Sequence, residues 1–182
     1  EDEIEMAKDV PYRFGTPFDV HYNLDNSGIW EEVSEGRIWR FSIKSENAYS
    51  INLLYDRFIL PAGAELFVYD EDMETVIGAF THQNNKTHET FSTSPTKGDV
   101  TILEYFEPTE VEFHGEIQIN SVVHGYRDVF FNESRGYGDS GSCNNNVNCT
   151  EFIEWEAEVR SVAMILTSGG SRLCTGSLVN SV

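Results

Sequence analysis

Trp39-Arg40-Phe41-Ser42-Ile43-Lys44 alternates apolar and polar side chains without a break, the period-two pattern of a strand with one face buried and the other wet. Working outward, Ile51, Leu53 and Tyr55 keep that period, and Phe58 and Leu60 resume it after an offset. Pro61-Ala62-Gly63 supplies a turn, since proline presets φ and glycine tolerates the positive φ of a tight reversal. Leu66-Phe67-Val68-Tyr69 reads as the next strand, Asp70-Glu71-Asp72-Met73-Glu74 as a hairpin connection, and Thr75-Val76-Ile77-Gly78-Ala79-Phe80 as the return. After a polar loop over residues 83–90 and a turn at Lys97-Gly98, residues 100–106 make another strand, and Ile117, Ile119 and Val123 complete the set. Helical periodicity is lacking across this region. Short strands at this spacing predict an all-β fold, a two-sheet β-sandwich with jelly-roll or Greek-key connections.

The composition agrees with a packed domain. Of 182 residues, 40% are apolar and 13% aromatic, enough to bury a sizeable core. The formal charge of −19 excludes a polyphosphate partner, which needs a basic face, and it disfavours an anionic membrane surface. Acidity on this scale serves solubility. No apolar run is long enough to span a bilayer, so no membrane insertion is expected. The chain opens Glu1-Asp2-Glu3 with no initiator Met, so an export signal is expected to have been removed already.

Cysteine usage divides the chain. None occurs in the first 142 residues, and then Cys143, Cys149 and Cys174 follow. Three is odd, so at least one sulfur lacks an intrachain partner, and in an exported protein the partners are expected beyond Val182. Residues 128–148 are rich in Gly, Ser and Asn and read as an exposed linker. Past it, Phe152, Trp155 and Val159 fit one face of a short helix, residues 160–167 a strand, Ser168-Gly169-Gly170-Ser171 a turn, and residues 173–179 the returning strand. An isolated hairpin is marginal in water, so its apolar face needs a cover.

The C-terminal part carries a family resemblance. Ser140-Gly141-Ser142-Cys143-Asn144, Val147-Asn148-Cys149, Val159-Arg160-Ser161-Val162-Ala163 and Cys174-Thr175-Gly176-Ser177-Leu178-Val179-Asn180 together resemble the start of the mature bacterial lysyl endopeptidases. Those are secreted, disulfide-bonded proteases of the trypsin-like fold. Upstream, Arg13-Phe14-Gly15-Thr16-Pro17-Phe18, Asp56-Arg57-Phe58, Leu60-Pro61-Ala62-Gly63-Ala64-Glu65-Leu66, Tyr69-Asp70, Asn84-Asn85-Lys86 and Asn120-Ser121-Val122-Val123-His124-Gly125-Tyr126-Arg127 look like the pro-region of the same precursors.

Residues 1–12 are charged and poorly patterned and read as a disordered lead-in; the resemblance implies three segments after it: a sandwich pro-domain (13–130), a linker and processing region (131–142), and an N-terminal fragment of a trypsin-like protease domain (143–182). The last would be the opening β-hairpin of a double β-barrel. It implies disulfides from Cys143, Cys149 and Cys174 to partners outside the chain. It assigns no catalytic residue, because the family's histidine, aspartate and serine follow later, so the chain alone is expected to be inactive. Its expected partners are the remainder of its own protease domain and, for the parent enzyme, protein substrates. The expected location is extracellular.

Other constellations carry less. Gly138-Asp139-Ser140-Gly141-Ser142 is close to a trypsin-type nucleophile segment, but it precedes the barrel's opening strands and lacks a base and an oxyanion hole. We read it as linker. Arg135-Gly136 is a candidate processing site for a basic-specific protease, and cleavage between Tyr137 and Gly138 competes with it. His21, His82, His88, His114 and His124 show no metal-ligand spacing, and the cysteines lack the CxxC pair of a zinc site. No cofactor is expected. The acidic residues 70–74 could hold calcium, but the ordinary reading of such a tip is solvation. Asn85-Lys86-Thr87, Asn132-Glu133-Ser134 and Asn148-Cys149-Thr150 match the glycosylation tripeptide, a pattern common by chance. The competing function is a β-sandwich adhesion or carbohydrate-binding module, with aromatics among Tyr12, Tyr22, Trp30 and Tyr105 stacking on sugars. A third reading is a degenerate protease homologue retained for binding.

Overall fold

The computed structural model describes residues 12–129 and 154–179. Its strands in chain order are β1 (Tyr12–Arg13), β2 (Gly15–Asn23), β3 (Ile29–Val33), β4 (Gly36–Lys44), β5 (Ser50–Ile59), β6 (Glu65–Asp70), β7 (Val76–Phe80), β8 (Phe91–Ser92), β9 (Thr96–Lys97), β10 (Val100–Pro108) and β11 (Glu116–Gly125). A single 3₁₀ turn, His82–Asn84, interrupts them. After the break come a short helix α1 (Glu156–Ser161) and a hairpin of β12 (Val162–Leu166) and β13 (Ser171–Ser177).

Up to β11 the protein is an all-β sandwich. One sheet runs β3-β4-β10-β6-β7, the other β2-β11-β5-β8 with β9 also on β5. Every pairing is antiparallel. The chain changes sheets between β2 and β3, β4 and β5, β5 and β6, β7 and β8, β9 and β10, and β10 and β11. This crossing is what brings distant strands together: β10 lies between β4 and β6, and β11 between β2 and β5.

The opening alternation behaves as expected. Trp39 and Ile43 point into the core and Arg40, Ser42 and Lys44 point out, with Trp39 opposite Tyr105 and Ile43 opposite Thr101 in the β4–β10 ladder. From the facing sheet come Ile51, Leu53, Tyr55, Phe58, Ile117 and Ile119, all buried. Large side chains buried this way contribute roughly 1.5–3 kcal/mol each. The offset between Tyr55 and Phe58 is a β-bulge: Gln118 pairs with Arg57 and Ile119 with Tyr55, leaving Asp56 as the extra residue. One inserted residue shifts the inward set from odd to even positions, which keeps both Tyr55 and Phe58 inside.

The turn at Pro61 closes with the Ala64 N–H donating to the Pro61 carbonyl (3.2 Å), and Gly63 has φ +84°. At the β6–β7 connection both carboxylate oxygens of Asp70 accept backbone N–H groups, from Glu74 (2.8 Å) and Thr75 (2.9 Å). Asp70 is therefore a buried organiser of the turn, while Glu71, Asp72 and Glu74 lie exposed. Two strands that carried no clear periodicity, β2 and β3, edge the two sheets. Pro17 fits an edge strand because it has no N–H to offer a second neighbour.

The C-terminal region departs in its boundaries. Arg160 and Ser161, expected at the start of a strand, finish α1, and Trp155 is the helix N-cap. The returning strand begins at Ser171 and ends at Ser177, so Leu178 and Val179 fall outside it. At the end of the helix the Ser161 hydroxyl donates to the Glu158 carbonyl (2.7 Å).

Candidate functional site: the junction of sandwich and hairpin

The third sheet joins the two ends of the chain. Its order is β1-β13-β12, with Tyr12 opposite Arg172 and Arg13 opposite Ser171. The join is made by the hairpin turn. Gly170 has φ +74°, and its carbonyl accepts the N–H groups of Phe14 (2.8 Å) and Gly15 (3.0 Å). A Cβ on Gly170 would stand 2.3 Å from the Gly15 carbonyl oxygen, so only glycine fits this contact. The fully buried Phe14 is held from its other side too, its carbonyl accepting from Tyr126 N (3.0 Å) and Arg127 N (3.1 Å). Arg127 Nη1 donates to the Arg13 carbonyl (2.8 Å), and the guanidinium lies 5.1 Å from the centre of the Tyr12 ring. Two of the stretches with a family resemblance, around Phe14 and around Tyr126, thus meet at one point.

Between hairpin and sandwich lies a cleft of about 380 Å³, with Leu54, Thr93 and Pro95 on one wall and Met164, Leu166 and Ser168 on the other. The rest of the hairpin is uncovered among the described residues. Val162, Ile165, Leu173 and Leu178 are exposed, Leu173 at 56%, as are Trp155 and Val159 on α1. In the sandwich the core side chains are sealed between the sheets, while Phe18, Ile29, Tyr49 and Val76 on its outer surfaces are exposed.

Cys174 is exposed on β13, opposite Ile165, and forms no disulfide with any described residue. Cys143 and Cys149 lie outside the described residues. So do the processing candidates Arg135, Gly136, Tyr137 and Gly138, and the segment at Ser140. The histidines are scattered. His124 Nδ1 lies 2.7 Å from the Ser45 hydroxyl and His88 Nδ1 2.7 Å from that of Thr90, and no metal-ligand cluster forms among the described residues. The proposed sugar-stacking set does not assemble: Tyr105 is wholly buried, Tyr22 and Trp30 pack on the core, and only Tyr12 of the four is exposed. Alternation explains this, since Tyr105 shares the inward face of β10 with Leu103. Asn85, the first glycosylation candidate, has its amide engaged with the backbone of Leu60.

One group escaped the sequence reading. Glu107 ends the inward series of β10 (Leu103, Tyr105, Glu107) and is 1% exposed. Its carboxylate accepts from Gly115 N (2.7 Å), Arg37 Nε (2.9 Å), His114 Nδ1 (2.8 Å) and the Tyr105 hydroxyl (2.9 Å). Burial by itself raises its pKa, but those donors, Gly115 first and then Arg37, His114 and Tyr105, outweigh it and hold the carboxyl below its ordinary range. Burial chiefly, with the neighbouring carboxylate, pushes the Tyr105 phenol far up. No serine or cysteine is among these partners, so the acid–histidine pair has no nucleophile to serve. The cluster holds the loop from Pro108 to Gly115 against the sheet. An acidic residue at an inward strand position was the signal that could have found it.

The likeness to known proteins falls on the hairpin end of the molecule. Residues 137–182 match the family described as the lysyl endopeptidase C-terminal domain. This part of the chain is related to the lysyl endopeptidases. The match names a C-terminal domain and does not reach residues 13–130, so it lends the sandwich no identity of its own. No solved structure matches the chain. No helix among the described residues is long and apolar enough to cross a membrane.

Proposed function

We propose that residues 13–130 are the pro-region of a secreted lysyl endopeptidase-type serine protease, and that residues 143–182 begin its protease domain. The observation that carries this is the hairpin β12–β13. It lies in the region related to lysyl endopeptidases, leaves Val162, Ile165 and Leu173 bare, and docks onto Phe14 and Gly15 of the preceding unit. An exposed apolar hairpin gains stability when further strands cover it. A sandwich clasping that hairpin would hold the first piece of the barrel in place while the rest assembles.

The parent reaction would be hydrolysis of a peptide bond through an acyl-enzyme, with cleavage after lysine as the name lysyl endopeptidase implies. The residues of this chain would bind and position. A pro-region that binds the native protease more tightly than the unfolded one stabilises it by mass action. The match begins at Tyr137, inside the candidate processing segment, which supports a boundary there. Sequencing the N-terminus of the active enzyme tests that boundary, and a start well beyond Cys143 removes both candidate sites. The main test supplies the separated pro-region to the refolding protease. A higher yield together with lower activity of the complex is expected, and no change in either rejects the reading.

A further inference from the structure

Three lysines occur among the described residues, and two are accounted for. Lys44 and Lys97 end strands and face carboxylates, Asp99 at 4.0 Å and Glu74 at 3.5 Å. Lys86 differs. It is exposed on the connection between the 3₁₀ turn and β8, and it joins no ion pair among the described residues.

The backbone around Lys86 is nevertheless fixed on both sides. Asn85 Oδ1 accepts the Leu60 N–H and its Nδ2 donates to the Leu60 carbonyl, each at 2.9 Å. This side chain pairs with the main chain as a strand would. Just before it, the 3₁₀ turn is closed by a capping box between Thr81 and Asn84. On the other side the Glu89 N–H donates to the Lys86 carbonyl (2.9 Å), the Glu89 carbonyl accepts the Phe58 N–H (2.7 Å), and the Glu89 carboxylate pairs with Arg57.

We propose that this loop seats the Lys86 side chain in the lysine-binding pocket of the protease and so acts as an inhibitor loop, an inference that rests on the pro-region reading above. A loop already held in one conformation loses little entropy on docking. The same geometry makes it a poor substrate. Acylation needs a carbonyl oxygen that can enter the oxyanion hole, and the Lys86 oxygen is already taken by Glu89 N–H. Hydrolysis at Lys86–Thr87 must first open that turn, so binding outlasts cutting.

The test uses the whole 182-residue chain, a purified mature lysyl endopeptidase and a lysyl p-nitroanilide. Competitive inhibition is expected, with the folded chain intact at Lys86–Thr87 over a period in which the urea-unfolded chain is cut there. Lys86→Gln should weaken inhibition by about thirty-fold or more, the loss of a central anchor residue, while Lys97→Gln stays within about threefold. Equal inhibition by Lys86→Gln and the native chain overturns the inference, as does prompt cleavage of the folded chain at Lys86–Thr87 or no inhibition at all. The pro-region reading is judged apart from these outcomes. Lys86→Gln should still raise the refolding yield of the protease, and failure there with the native chain counts against that reading instead.

Discussion

Replacing Glu107 by leucine removes the acceptor on which four donors converge. Arg37 is 33% exposed and His114 74% exposed, so both can turn to water. Gly115 N–H and the Tyr105 hydroxyl stay inside, each left unpaired at a cost of about 1–3 kcal/mol. The two together give an expected loss of about 4 kcal/mol. With a urea slope of about 2 kcal/mol per molar, the unfolding midpoint followed by tryptophan fluorescence falls by about 2 M. The pH dependence gives a second reading with a definite sign. The folded pKa of Glu107 lies below its unfolded value, so its contribution is complete above about pH 4.3 and disappears as pH falls through the folded value. Native protein and Glu107→Leu should differ most near neutrality and converge in acid. A midpoint shift under about 0.5 M at pH 7, or a constant offset down to pH 2, refutes the reasoning.

Three further outcomes are expected. Leu103→Ala opens a cavity in the fully buried centre of β10 and should cost about 2–5 kcal/mol by the same urea assay, with the slope unchanged. Gly170→Val should detach the hairpin, since its side chain meets the Gly15 carbonyl; hydrogen exchange at the Phe14 and Gly15 amides should rise while the urea midpoint of the sandwich moves by less than about 0.5 kcal/mol equivalent. Asn85→Ala removes both bonds to Leu60, a local loss of about 1–3 kcal/mol, and digestion with a lysine-specific protease should then cut at Lys86–Thr87 at least about tenfold faster.

Much of the sandwich was legible because its central strands obey a strict period. Trp39 to Lys44 and Val100 to Phe106 read correctly, and even the Asp56 bulge left its trace as a change of parity. The edge strands β2 and β3 were not legible. In β2 three residues in nine are exposed and none but Gly15 is fully buried, so the two faces hardly differ in composition. The junction was hidden for another reason. A two-residue pairing between Tyr12–Arg13 and Ser171–Arg172 has no period, and its partners stand far apart in the chain. Glu107 was overlooked because its charge argues for solvent until its four donors are seen in place.

The contact between β1 and β13 has a kinetic corollary. Two residue pairs and a doubly accepting carbonyl make a small adhesive area, an intramolecular one for as long as the chain between β11 and β13 is unbroken. Sever that chain and the same contact becomes bimolecular, diluted to the micromolar concentrations of the free pieces. The clasp would then let go by dilution alone, with no shape change to trigger it.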